Sequence, residues 1–375
     1  MRNGNGGGVR IADGTVYVYR LFDVADAVDL AVAERVAAGA PKSRLRLEGA
    51  QSGTALEFPR PPLQLRLSRR EVPLASGARS VEASAHVYDY GVISVLYKLP
   101  IAPGTSLAAL VPLAEELVVE PTPALDQAAR HDAEELARAL GNALERPHTW
   151  DGLESYQVFF VRRFEGGPVR AQDLLAGAPV PELLLGETSA VPLSPEERQE
   201  VLSHHFSYLE DDLAVLHWNS ALVVEPSGVQ DIPDLLEFAT AHLLELRYYD
   251  ALLDRELHRI YDEIEAGGSP VANILTRRYR KLQRDTAALL LELSEMIERL
   301  ENAVKIVGDF YLARLYLAAV RRFRLPAWQE SVLRKQKLVA DVNDLTGEAA
   351  DTSRAELLEI AVIALIVLEI LAALR

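Results

Sequence analysis

Val81-Glu82-Ala83-Ser84-Ala85-His86-Val87-Tyr88 and Val92-Ile93-Ser94-Val95-Leu96-Tyr97-Lys98-Leu99 stand on either side of Asp89-Tyr90-Gly91. Both runs carry β-branched and aromatic residues, and the residues between them suit a tight reversal, so the stretch reads as a hairpin. Outward from it, residues 15–21 (TVYVYRL) follow an Asp13-Gly14 turn, and residues 156–163 (YQVFFVRR) have the same character. Leu63, Leu65 and Leu67 alternate with polar partners, the period of a half-buried strand. Helices are expected over 29–38, which stops at Gly39 before Pro41, and over 107–117, 126–144 and 195–204. Two short strands follow near 212–216 and 220–224. Strands and helices mix without a βαβ rhythm, which makes residues 9–225 an α+β domain. The glycine tract Gly4–Gly8 neither follows a strand nor carries Gly-Lys-Ser/Thr, so residues 1–8 read as a flexible leader.

Residues 231–348 read as long antiparallel, coiled-coil helices. The first starts at Asp231-Ile232-Pro233-Asp234, an N-cap with Pro in the first turn, and runs to about 266 before Gly267-Gly268-Ser269-Pro270. The second is expected to run unbroken from 271 to 325, and a third spans 328–345 after Pro326. Leu289, Leu293, Met296, Leu300, Ala303, Val307 and Phe310 alternate steps of four and three, an a/d seam. Neither neighbouring helix matches the second in length, so the helix from Leu289 to Phe310 is expected to join copies into a homo-oligomer. The third part, residues 355–375, contains the run LLEIAVIALIVLEILAAL over 357–374, interrupted only by Glu359 and Glu369. It reads as a tail-anchoring transmembrane helix; the alternative is a hydrophobic helix buried in an oligomer or against the domain. Arg334, Lys335, Lys337 and Arg354 precede it, which keeps the bulk of the chain cytoplasmic. The localisation expected is therefore the cell membrane, with a soluble cytoplasmic protein as the alternative.

Composition narrows the chemistry. The chain has 375 residues and no Cys, which removes disulfides, thiol nucleophiles, cysteine-ligated zinc and iron–sulfur clusters. Its net charge of −16 argues against a protein that coats nucleic acid. Residues 271–354 depart from that balance, with 15 basic against 11 acidic residues, so an anionic partner should meet this region. The sharpest basic cluster is Arg277, Arg278, Arg280, Lys281 and Arg284, interleaved with Tyr279. It is the candidate contact for RNA, a ribosome or a phospholipid surface, against the plainer reading of a solvated helix paired with an acidic neighbour.

Two sets of polar residues invite a metal. Asp250, Asp254, His258 and Asp262 recur every four residues on one helix face, the spacing at which carboxylate bundles hold metals between helices. A polar stripe opposite Leu246, Leu253, Leu257, Ile260 and Ile264 is equally the face of any amphipathic helix. His204, His205, Glu210, Asp211, Asp212 and His217 cluster without the spacing of a dedicated site. No Gly-x-Ser-x-Gly elbow or His-Glu-x-x-His motif occurs. The reading adopted is no metal, no cofactor and no catalytic set.

Three stretches then carry a resemblance. They are Tyr90-Gly91-Val92-Ile93-Ser94-Val95, the block 206–225 followed by Leu236-Glu237-Phe238 and Leu244-Glu245-Leu246-Arg247-Tyr248-Tyr249, and Leu358-Glu359-Ile360-Ala361-Val362-Ile363 to Leu368-Glu369-Ile370. Over roughly residues 80–375 the chain resembles the family named for "required for meiotic nuclear division" proteins, a domain family of unknown function. The resemblance implies membrane association, and in one eukaryotic branch support of organellar translation near the inner membrane. It supplies no catalytic residues, and without a transit peptide it implies a bacterial-type, cytoplasm-facing member. The function expected is a non-enzymatic, membrane-anchored oligomeric scaffold. The alternatives are a component of an ion channel or transporter, or an enzyme using the His and Asp clusters.

Overall fold

The computed structural model describes residues 9–37, 41–45, 56–57, 60–119, 122–265, 284, 286–291, 293–295, 297–298, 305–306 and 310–342. The chain divides into two compact units, Met1–Glu245 with Leu300–Pro326, and Leu246–Arg299 with Ala327–Arg375.

The first unit begins with β1 (Arg10–Asp23), β2 (Ala25–Val28), α1 (Leu30–Val36), β3 (Lys42–Arg44), β4 (Leu56–Glu57), β5 (Leu63–Arg66) and β6 (Arg70–Val72). The expected hairpin follows as β7 (Arg79–Val87) and β8 (Val92–Pro100). Next come β9 (Thr105–Ser106), α2 (Leu107–Ala114), α3 (Pro123–Leu140), β10 (Leu144–Pro147) and β11 (Glu154–Phe164). Three short helices, α4 (Ala171–Gly177), α5 (Val180–Leu185) and α6 (Pro195–Leu202), precede β12 (His205–Phe206), β13 (Leu213–Leu216) and β14 (Ser220–Val224). α7 (Asp231–Glu265) starts in this unit; β15 (Lys305–Ile306) and α8 (Phe310–Arg322) complete it. The architecture is α+β.

Eleven strands form one sheet in the order β12-β13-β14-β11-β1-β8-β7-β5-β3, with β6 beside β7 and β9 beside β1. β11 and β14 pair in parallel, whereas β1 is antiparallel to both of its long neighbours, β8 and β11. The β7–β8 turn closes on Gly91, whose φ is +97°; a Cβ there would lie 1.7 Å from the Ala25 carbonyl oxygen, so only glycine fits.

Strand periodicity sends alternate side chains to opposite faces. Val16, Val18 and Phe22 of β1, Val95 of β8, Ala85 of β7 and Phe159 of β11 share one face, and they join the apolar core with α2, α3 and α5. Several polar groups on this face are paired, although Gln157 Oε1 is buried without a protein partner. Tyr97 donates to Asp132 at 2.7 Å, Arg20 to Asp126 at 2.7 Å, and Ser220 to the Leu184 carbonyl at 2.7 Å.

The other face is covered by the first half of α7 and by α8. Phe238 packs against Tyr88 and Tyr316, and Phe323 meets Tyr156 edge-on. His86 and Glu237, both fully buried, meet at 2.7 Å. Burial alone would lower the His86 pKa, but the Glu237 charge and hydrogen bond raise it. Asp234, one turn earlier, is pushed up to about 7, first by desolvation and further by the Glu237 charge. The hydroxyls of Ser84, Tyr88, Tyr90 and Ser94, His86 Nε2, Glu237 Oε1 and His242 Nε2 are buried without a protein hydrogen-bond partner.

The compact unit that holds the sheet takes in α7 as far as Glu245 and residues 300–326, because α7 and α8 supply the cover for the sheet's second face. Two sequence expectations change. The helix from 271 to 325 is not continuous: Lys305–Ile306 are extended and pair with Leu56–Glu57. The β-branched Val304, Ile306 and Val307 ahead of Gly308 favour that local break. α3 stops at Leu140, because the chain from Leu144 pairs with β2.

In the second unit, helical residues 327–342 lie against the helical residues of 284–298. Gln336 Nε2 is 3.3 Å from Ser294 Oγ, Leu293 is fully buried, and the Arg247 guanidinium lies over the Trp328 ring. Of the a/d seam, Leu289 and Leu293 alone have described side chains. Among the described residues no helix is long and apolar enough to cross a membrane. The run 357–374 lies outside the described residues.

Candidate functional site

β1 ends at Asp23, and β2 folds back to pair with β10, with Ala25 opposite Pro147 and Ala27 opposite Glu145. This ribbon carries the chain from Pro147 to beside the end of β1, where the His148 N–H donates to the Val24 carbonyl at 3.0 Å. The imidazole is then held on both sides. Nε2 lies 3.0 Å from Asp23 Oδ1 and Nδ1 lies 3.2 Å from Asp26 Oδ1. Two ring nitrogens that both face carboxylate oxygens can only donate, so the ring is an imidazolium. Burial opposes that charge, but the two carboxylates outweigh it and lift the His148 pKa to about 9. Asp23 is pushed up to about 6 by burial, with the His148 hydrogen bond and charge pulling it down. Arg146 holds Asp26 from a backbone with φ of +47°.

Beside this cluster opens a cleft of about 630 Å³, lined by Phe22, Ala133, Ala137, His148, Thr149 and Trp150 among others. That volume is within the usual range for a small-ligand site. Arg130 of α3 fixes its outer wall, donating to the carbonyls of Trp150 at 3.1 Å and Asp151 at 2.7 Å while its guanidinium covers the Phe22 ring. Trp150 folds over Gly152, where a Cβ would come within 2.3 Å of the indole. The result is a rigid loop over a largely apolar pocket with a charged, neutralised edge.

None of these residues was singled out from the sequence. Asp23 and His148 stand far apart in the chain, and only Pro147-His148-Thr149-Trp150-Asp151-Gly152 carried a signal, a His and a Trp in a loop bounded by Pro and Gly.

The residues that were singled out lie elsewhere. Asp250 and Asp254 do come together, but around a lysine: Lys335 Nζ sits 2.9 Å from one carboxylate and 2.7 Å from the other. The ammonium takes the place a metal would need between them. His258 turns its Nδ1 to the Asp254 carbonyl, and Asp262 is exposed. Asp212 accepts the N–H groups of Tyr208 and Leu209, and His205 Nδ1 faces the Leu202 carbonyl. His217 is buried beside Asn219 and lowered to about 4, chiefly by desolvation. Among the described residues no group of three or more His, Asp or Glu could hold a metal ion. Arg284 is helical and exposed, whereas Arg277, Arg278, Arg280 and Lys281 lie outside the described residues.

Residues 13–231 match the family described as "Uncharacterized protein MJ0711, N-terminal domain". The chain belongs to that family. A Methanocaldococcus jannaschii protein, itself described as uncharacterized protein MJ0711, is 25% identical over 182 residues, covering 48% of this chain and 55% of the relative. The chain therefore spans about half the length of this curated relative. No solved structure matches. The MJ0711 N-terminal match contains the whole cleft, from Phe22 to Asp151, and every strand from β5 to β14.

Proposed function

We propose that the chain is a non-enzymatic scaffold, attached to a membrane by its apolar C-terminal run, whose α+β head offers the cleft beside His148 for recognition. The observation that carries the head's role is the double commitment of His148 to Asp23 and Asp26. A general base must keep one nitrogen for the group it deprotonates. A ring clamped between two carboxylates instead orders a binding surface. The run 357–374, and its likeness to the near-terminal helix of the meiotic nuclear division family, support the membrane attachment. Arg277, Arg278, Arg280, Lys281 and Arg284 would meet an anionic surface or RNA.

Fractionation of cells expressing the full chain, beside a variant lacking residues 355–375, tests the attachment. The full chain is expected in the membrane pellet and the shortened one in the supernatant. Intact chain in a detergent-free, high-speed supernatant would overturn the membrane reading.

A further inference from the structure

The sheet's β12 edge and the outer face of α8 together present an unusual surface. Large apolar side chains stand out from it: Tyr208 is 66% exposed, Leu209 60%, Trp218 59% and Leu317 45%. Tyr208 and Leu209 are adjacent, and exposed apolar side chains gathered at such tips mark a surface that meets something. Tyr208 and Leu209 form a loop tip after β12, locked by Asp212, whose two carboxylate oxygens accept their N–H groups at 2.7 and 2.9 Å. Trp218 occupies the β13–β14 turn, beside the buried His217. The tips are presented rigidly.

α8 connects them. Its first turn meets the first tip through Tyr311 and Tyr208, whose ring centres are 5.6 Å apart. Its last turn approaches the second through Arg322, which pairs with Glu200 at 2.7 Å and acts electrostatically on His217. Between the two, the exposed residues are Arg314, Leu317 and Arg321, with Arg324 just beyond in a left-handed turn at φ +59°. Steps of three and four place Arg314, Leu317 and Arg321 on one stripe of α8 about 10 Å long. The exposed charges on this stripe are all arginine, in a chain of net charge −16. Glu210, which follows the Tyr208-Leu209 tip, has Arg170 as an electrostatic neighbour.

We propose that this surface docks on an anionic lipid bilayer, with Trp218, Tyr208 and Leu209 entering the headgroup region and Arg314, Arg321 and Arg324 facing the lipid phosphates. Amphipathic aromatic rings settle at the membrane interface, and each arginine near an anionic surface strengthens attachment. Exposed leucines favour lipid over a nucleic acid, because a leucine offers a base no ring to stack on. The inference rests on the membrane reading above and adds a second, peripheral contact made by the head.

The test mixes the full chain with vesicles of phosphatidylcholine alone or with added phosphatidylserine, each doped with brominated lipid. Flotation reports attachment of the chain, and quenching of tryptophan emission reports docking of this surface. Quenching is expected on the phosphatidylserine vesicles and should disappear in Trp218→Phe, which leaves Trp150 and Trp328 in place. An Arg321→Glu/Arg324→Glu variant should need at least ~10-fold more anionic vesicle for the same quenching. Flotation without Trp218 quenching would overturn the docking surface and leave the tail reading intact. Flotation on anionic vesicles and Trp218 quenching that both survive removal of 355–375 would separate the two contacts in the opposite sense and support this one. Equal quenching by neutral and anionic vesicles would overturn the role of the arginines. Single-stranded RNA binding that the arginine variant loses, with no quenching on vesicles, would reassign the surface.

Discussion

On one face of the sheet Val16, Val18, Phe159 and Val161 meet α2, α3 and α5; on the other Tyr19, Ser84, His86 and Tyr88 meet α7 and α8. Both faces are buried and both hold a charged pair, Arg20–Asp126 on the first and His86–Glu237 on the second, but the first is otherwise filled by apolar volume whereas the second also buries several hydroxyls without a protein partner. Apolar burial is favourable wherever shapes fit, roughly 25 cal/mol for each Å². A buried polar atom stabilises only when it is paired, and otherwise costs about 1–3 kcal/mol. The first face is therefore sensitive to volume and the second to partners. A sheet can thus carry a robust side and a conditional side on the same strands.

The largest effect that would sharpen this contrast comes from splitting the His86–Glu237 pair. Glu237→Leu strands the imidazole and should lower unfolding free energy by about 3 kcal/mol, read by urea titration. Adding His86→Leu should restore most of the loss, since an apolar pair of similar size has no charge to desolvate. A double variant as unstable as the single one would show that the second face depends on shape after all.

A smaller effect concerns pH. The Asp234 pKa in the folded chain, about 7, lies above its unfolded value near 3.8. The stability linked to its proton is therefore complete below about 4 and lost as pH rises through 7. Melting temperature should fall across that window by an amount equivalent to under about 1 kcal/mol per pH unit, and Asp234→Asn should flatten the fall. An unchanged slope in the variant would move the titration to another group, with Asp23 of the cleft, raised to about 6, next in order.

The smallest effect is the most discriminating. Tyr88→Phe removes a buried hydroxyl that has no protein partner, so stability should change by less than about 0.5 kcal/mol. A loss above about 1 kcal/mol would mean that ordered water satisfies the hydroxyl and that the second face is fully paired.

This unevenness also explains what the sequence disclosed. β1, β7, β8 and β11 are legible because alternation of apolar residues is a local signal, and α7 is legible because its period and its Asp231-Ile232-Pro233 start are local too. β2, β3, β6, α4 and α5 escape, being short and dependent on neighbours distant in the chain for their form. The break at Lys305–Ile306 is of this kind: a helical pattern reads through it, and pairing with Leu56–Glu57 decides against it. The cleft is least legible, because Asp23, Asp26 and His148 acquire meaning only when β2 pairs with β10. The Asp250 and Asp254 stripe shows the converse, a clear spacing whose partner, Lys335, lies beyond the reach of any local pattern.

The strand pair β4–β15 has a consequence for how the chain is made. Leu56 and Glu57 must wait for Lys305 and Ile306, and the sheet's conditional face must wait for α7 and then α8. At ~5–20 residues per second, a ribosome needs roughly 15–60 s to deliver them. In the later part of that interval the strands from β1 to β11 have emerged while their tyrosine-bearing side still lacks α8. Synthesis therefore passes through a half-clad nascent chain, whose late-made α8 closes over strands made long before it.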